Sequence, residues 1–133
     1  PGSHYAVIVS NDKVVAERRD ALVRMAAAHI EAMNLLYDKS KWDEIAKIAA
    51  PTGRSPGDAI KALELFTNID YWPRNAAGLD QKRIEKAIAI QTGVGKRTKG
   101  KAGINPAKSP VAYGDLTDAS IVKDALALIA KTN

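Results

Sequence analysis

The chain has 133 residues, of which 46% are hydrophobic and 5% aromatic, and these proportions are typical of a folded domain and not of a disordered chain. It contains no cysteine, which excludes disulfides and thiolate metal sites. The formal net charge is +5, and no apolar run approaches the roughly 20 residues of a membrane-spanning helix. We therefore expect one domain over residues 1–133, with no metal and no other cofactor.

The first expected element is a strand over residues 5–10. These residues are β-branched and nearly continuously apolar, as in a strand that is covered on both faces. No second segment supplies a partner for its backbone. Because a two-fold axis lets a strand pair with its own mate, the pattern predicts a homodimer or higher oligomer with residues 5–10 in the interface.

Six helical segments are expected after the strand, each indicated by a capping residue or by apolar residues at steps of three and four. They cover about residues 13–17, 20–38, 41–49, 56–66, 80–93 and 118–131. The sequence therefore predicts a mainly α fold, with five or six helices plus one short strand and more than half of the residues in helix.

Several residues carry more specific predictions. His29 lies on the apolar face of the long helix, where a core histidine with a hydrogen-bond partner is favoured over a ligand or a switch. Ser40 is expected to cap the next helix, and Trp42 in its first turn is expected to pack against the long helix. Gly93 is expected to stop the fifth helix, so that residues 93–109 form a loop rich in glycine and lysine.

This loop contains a basic run, Lys96, Arg97, Lys99 and Lys101. One interpretation is a patch for nucleic acid or acidic lipid. The favoured one is a solvated, flexible loop, because no aromatic residue interleaves with the charges. Residues 95–102 also approach the spacing of a phosphate-binding loop, but Ala102 has no hydroxyl for magnesium and the run follows a helix. Nor does the pattern place opposed carboxylates in a cleft, so no enzymatic activity is expected.

Tyr71, Trp72 and Arg74 are the candidate ligand-binding residues. They lie in a segment, residues 68–78, that is expected to be extended because Pro73 disfavours helix at the residue before it. Two aromatic rings followed by an arginine could line a cleft for an anion. The alternative, which is favoured, is an anchor that holds the segment to the helices, because buried aromatic rings usually serve packing first.

Six segments together resemble the C-terminal third of periplasmic substrate-binding proteins of ABC transporters, of the nitrate/sulfonate/taurine type that includes proteins similar to the thiamine-pyrimidine synthesis enzyme. The most specific are Asn68-Ile-Asp-Tyr-Trp-Pro73, Gly78-Leu-Asp-Gln-Lys-Arg-Ile84 and Asp115-Leu-Thr-Asp-Ala-Ser-Ile121. The others are the strand leading into Val9-Ser-Asn-Asp-Lys13, the long helix from Ala21 to Tyr37, and Ala62-Leu-Glu-Leu-Phe66. In order and spacing they cover nearly the whole chain.

The resemblance implies two α/β lobes of the type II periplasmic-binding-protein fold, with a solute cleft between them. It also implies a periplasmic location and delivery of a small solute to a membrane permease, with no nucleic acid as partner. The first lobe and much of the second are absent from the chain, so this C-terminal portion is not expected to bind solute alone. The competing interpretation is a small basic helical interaction module that binds nucleic acid through the basic run.

Overall fold

The computed structural model describes residues 8–74 and 80–132, and 71% of these are helical. This confirms the prediction of a mainly α fold. Seven α-helices and two short 3-10 helices occur in the described ranges. The α-helices are α1 (Asp12–Glu17), α2 (Arg19–Leu35), α3 (Trp42–Ala49), α4 (Pro56–Asn68), α5 (Gln81–Arg97), α6 (Tyr113–Leu116) and α7 (Ala119–Thr132). The 3-10 helices, Lys39–Lys41 and Ala50–Thr52, flank α3.

Three of the α-helices, α1, α4 and α5, begin where a polar side chain caps them. The side chains of Asn11, Ser55 and Asp80 accept hydrogen bonds from amides in the first turns of α1, α4 and α5. Each cap satisfies an amide that has no partner within its helix. These predicted starts are confirmed. Leu79, which precedes Asp80 and is expected to pack on Ile84 as a hydrophobic staple, lies outside the described residues.

Helices α2 and α7 pack together and bury the main apolar cluster. Its buried members are Ala27, Ile30 and Ala125. At the edge of this contact the guanidinium of Arg19 donates to Ser120 Oγ at 2.8 Å and to Asp124 Oδ2 at 2.7 Å. The first long helix and the last helix are therefore joined by a small core and a polar link.

Helices α3 and α4 form a second pair, and Trp42, Ala46, Ala59 and Leu63 are their buried residues. The indole Nε1 of Trp42 donates to the carbonyl oxygen of Leu36, just after α2, at 3.0 Å. This contact places Trp42 against the end of the long helix, as expected.

The start of this second pair differs from the prediction in one respect. Asp38, and not Ser40, supplies the cap, because its carboxylate accepts from the Ser40 amide at 3.0 Å and from the Ser40 hydroxyl at 2.7 Å. The chain accordingly enters α3 through a 3-10 turn and not directly through a helix at Lys41. The long helix ends at Leu35, three residues before the expected end.

The expectation that Gly93 ends the fifth helix is wrong, because α5 continues through Gly93 and Gly95 to Arg97. Gly95 is buried beneath the chain that returns from the helix end, and the Ile104 amide donates to the Gln91 carbonyl oxygen at 3.0 Å. The missing side chain permits this close approach, so the glycine serves packing and not termination. The short helix α6, which the sequence did not indicate, also packs on α5.

Two further predictions fail in the described part of the chain. Residues 8–10 have no regular secondary structure, and Ile8 and Val9 are 61% and 82% exposed. The rest of the expected strand, residues 5–7, lies outside the described residues. Ile8 and Val9 are exposed because the described part of the chain contains no strand that could pair with this segment. His29 is also exposed, because α2 buries only a narrow face, around Ala27 and Ile30.

Candidate functional site

The segment with the candidate ligand-binding residues begins at the end of α4, in a compact helix-capping turn. The Tyr71 amide donates to the Phe66 carbonyl oxygen at 2.9 Å and the Asp70 amide to the Thr67 carbonyl oxygen at 3.2 Å. Asp70 has a φ of 47°, in the left-handed region. These two hydrogen bonds and the left-handed residue define a Schellman motif. The segment is therefore turned back on its helix at this point and does not simply extend away from it.

Four aromatic side chains meet at this turn, Tyr37, Phe66, Tyr71 and Trp72, which we call the aromatic cluster. The rings of Phe66 and Tyr71 lie 4.7 Å apart between centroids, which is the apolar contact that commonly accompanies a Schellman motif. Trp72 contacts Phe66 and Tyr37 edge-on, at 5.3 Å and 6.2 Å. Such geometries favour the attraction between the edge of one ring and the face of another.

Tyr37 links the aromatic cluster to the end of α2. Its hydroxyl donates to the Trp72 carbonyl oxygen at 2.6 Å. The bond joins residues that are 35 positions apart in the chain. It therefore holds the segment after α4 against the end of the long helix.

Arg74 completes the arrangement. Its guanidinium carbon lies 3.8 Å from the centre of the Tyr37 ring, and its Nη2 lies 2.7 Å from Asp70 Oδ1. A hydrogen bond with Tyr37 and the charge of Asp70 raise the pKa of Arg74, although the side chain is exposed. One nitrogen and one face of the guanidinium are thus already occupied by groups of the chain itself.

The structure brings Tyr71, Trp72 and Arg74 together, with Trp72 half-buried and the other two exposed. Their contacts are those of the anchoring interpretation, because each residue ties the segment to α2 or α4. Asp70 also offsets the positive charge that an anion would need. Anion binding by these residues stays a prediction, and it requires that a solute compete with Asp70 for the guanidinium.

Sequence reasoning missed three residues of this arrangement, Tyr37, Phe66 and Asp70. Two signals were present in the sequence: Asp70 and Arg74 are four residues apart, and Phe66 and Tyr71 have the spacing of a Schellman contact. Tyr37 had no local signal, because its hydrogen-bond partner, Trp72, lies 35 positions further along the chain. Among the described residues, no group of three or more His, Asp or Glu side chains is placed to hold a metal ion.

The basic run forms a second candidate site, and it is an ordered turn. Gly100 N donates to the Gly95 carbonyl oxygen at 2.8 Å and Lys99 N to the Lys96 carbonyl oxygen at 3.3 Å, while Lys99 has a φ of 53°. This is again a Schellman motif. The Thr98 hydroxyl also bonds to both the amide and the carbonyl oxygen of Ala102. The loop predicted for residues 93–109 is therefore a helix end followed by a hydrogen-bonded turn.

Comparisons with family models, curated proteins and solved structures find no match for this chain. In the described part of the chain, no helix combines the length and hydrophobicity needed to cross a membrane.

Proposed function

We propose that this chain is the C-terminal portion of the solute-binding component of an ABC importer of the nitrate/sulfonate/taurine type. The whole protein would hold a small solute between two lobes in the periplasm and deliver it to a membrane permease. The observation that carries the proposal is the order and spacing of the resembling segments along the chain. On this proposal the chain is not an enzyme, and nucleic acid is not its partner.

The helix boundaries support the proposal. The segment Asn68-Ile-Asp-Tyr-Trp-Pro73 coincides with the Schellman motif that ends α4. Asp80 and Asp118, in the other two most specific segments, stand immediately before α5 and α7. Residues at helix ends have defined capping roles. The similarity of these segments to the importer proteins therefore falls at positions that define helix ends, and it is not only a similarity in composition.

The amount of uncovered surface also supports a portion of a larger protein. Several large apolar side chains in the described ranges are exposed, among them Ile48 at 72% and Leu65 at 59% exposure. A neighbouring lobe would cover such faces.

The direct test is solute binding by the intact product of the gene. We expect that product to show a raised thermal midpoint with one member of a panel of nitrate, taurine, alkanesulfonates and pyrimidines. A free solute concentration of about 100 times Kd adds about 2.7 kcal/mol to the free energy of unfolding. The 133-residue chain alone should show no shift. A reading frame without a further lobe, or without permease and ATPase genes beside it, would contradict the proposal.

The role of Arg74 can be tested in the same assay. Arg74→Gln should weaken binding of an anionic solute by the intact protein if the guanidinium contacts it. Arg54→Gln is the matched control, because Arg54 is also an exposed arginine and lies just before the cap of α4. Equal affinities in the two variants would remove Arg74 from the site and leave it as an anchor.

The competing function, nucleic-acid binding by the basic run, is favoured by one observation. Lys96, Arg97, Lys99 and Lys101 are all exposed at one helix end. No aromatic residue occurs between positions 73 and 112, so this part of the chain offers no ring for base stacking. We expect only weak, sequence-independent binding to duplex DNA, of the order of 10⁻⁴ to 10⁻⁶ M at about 0.15 M salt. Nanomolar, sequence-selective binding would replace the importer proposal.

A further inference from the structure

The positive charge of the chain is concentrated in one helix and the turn after it. Residues 80–108 contain eight lysines and arginines against two acidic residues, a net charge of +6. The remaining twelve basic and thirteen acidic residues give a net charge of −1. The whole excess therefore belongs to α5 and the segment that returns over it.

The cations of α5 lie on one side of the helix, which we call the basic face: Lys82, Arg83, Lys86, Lys96 and Arg97. At about 100° per residue they fall within an arc of about 140°. All five are exposed, and the centre of the arc is opposite the buried Ile84 and Gly95. The packing of α5 on its neighbours thus directs the basic face to solvent.

One large apolar side chain interrupts the basic face. Ile90 falls between Arg83 and Arg97 around the helix, and it is 48% exposed. Lys99 and Lys101 extend the charge beyond the helix end, on the turn that two hydrogen bonds to α5 hold in place. The surface is therefore a fixed array of cations about 22 Å long, at 1.5 Å per residue, with an isoleucine within it.

We infer that the basic face of α5 and the turn after it form a docking surface for an anionic lipid membrane. Clusters of four to eight lysines and arginines on an amphipathic helix are suited to anionic headgroups, and each cation contributes about a factor of five in affinity. The inference is independent of the proposed solute site, which lies at the end of α4. It would bring a solute-delivering protein to the surface where its permease lies.

Ile90 favours lipid over the other polyanions. At a membrane surface an apolar side chain between cations reaches the boundary of headgroups and acyl chains, where its burial is favourable. The phosphate backbone of a nucleic acid offers it no apolar partner. The lack of aromatic residues from position 73 to 112 points the same way, because single-stranded nucleic acid is bound largely by stacking.

The test is co-sedimentation with vesicles at about 0.15 M salt, near physiological ionic strength. The chain should bind vesicles of phosphatidylcholine with phosphatidylglycerol and not those of phosphatidylcholine alone. A variant with Lys82, Lys96, Lys99 and Lys101 changed to glutamine should bind at least about 100-fold more weakly. Ile90→Ser should weaken binding roughly fivefold. The four-lysine change avoids Lys86, which has an interaction of its own.

The matched control changes four exposed lysines elsewhere to glutamine: Lys13, Lys47, Lys61 and Lys123. Both variants have the same net charge, so a general charge effect would weaken the vesicle binding of both equally. Equal loss of vesicle binding would therefore overturn the inference. Absence of binding to the anionic vesicles would also overturn it, as would tighter binding to duplex DNA than to vesicles at the same salt. Circular dichroism of each variant checks that the helices are retained. Failure of the solute assay leaves this result unaffected.

Discussion

Gly95 offers the sharpest test of the tertiary structure around α5. A Cβ added at Gly95 would lie 2.5 Å from the carbonyl carbon of Ile104 and would overlap its oxygen. Both obstacles are backbone atoms, so no side chain can rotate away to relieve the clash. The return segment has to move. Gly93, two residues earlier in the same helix, is the matched control, because its added Cβ would only contact Arg97 Nη1 at 3.7 Å.

The expected magnitudes follow from three contributions. Alanine favours a helix interior over glycine by about 1 kcal/mol, and this benefit applies to both positions. In Gly95→Ala the displaced chain also loses the Ile104–Gln91 and Gly100–Gly95 hydrogen bonds, each of which contributes about 1 kcal/mol. Crowding adds a further cost of about 1–3 kcal/mol. We expect Gly95→Ala to destabilise the chain by about 2–4 kcal/mol and Gly93→Ala to stabilise it by up to about 1 kcal/mol.

Urea unfolding followed by circular dichroism at 222 nm measures the difference in free energy of unfolding, and amide hydrogen exchange shows where it arises. In Gly95→Ala the amides of Ile104 and Gly100 should lose more protection than those of α2 and α7, whose protection falls only with the global stability. If Gly95→Ala proves as stable as Gly93→Ala, with Ile104 still protected, the chain does not return over α5 and the close approach at Gly95 is wrong.

Three further predictions concern other parts of the chain. Tyr37→Phe should lower the free energy of unfolding by about 1 kcal/mol, because the hydrogen bond to the Trp72 carbonyl oxygen is lost, while Tyr71→Phe should have little effect in the same urea titration. Hydrogen bonds from Ser120 hold the pKa of Asp118 below its ordinary value of 3.8, so the carboxylate contributes stability above about pH 4 that is lost as the pH falls through the lower folded-state pKa. The stability gap between the wild type and Asp118→Asn should therefore narrow as the pH falls below about 4, and a gap independent of pH would contradict the assigned hydrogen bonds. Analytical ultracentrifugation of the 133-residue chain should show self-association through its uncovered apolar faces, and a well-folded monomer at about 100 μM would refute this prediction.

The capping residues and the apolar periodicity were sufficient to predict the helical class and most helix starts. Ser55 and Asp80 are predicted as caps from the residues around them, and Asn11 is one of two candidates with Asp12; each of the three caps its helix. This succeeds because a helix cap depends on hydrogen bonds within about one turn of chain. The same local chemistry predicted that Trp42 would lie against the long helix.

Only the tertiary structure decided which glycines end a helix and which side chains meet across the chain. Glycine is the residue that most often ends a helix, yet α5 passes through Gly93. The chain that returns at Ile104 covers Gly95, and this close approach requires a residue without a side chain at that position. His29 and Tyr37 show the same limit. The burial of the first and the partners of the second depend on which helices pack together, and this is set by contacts between residues far apart in sequence, which periodicity along one helix does not encode.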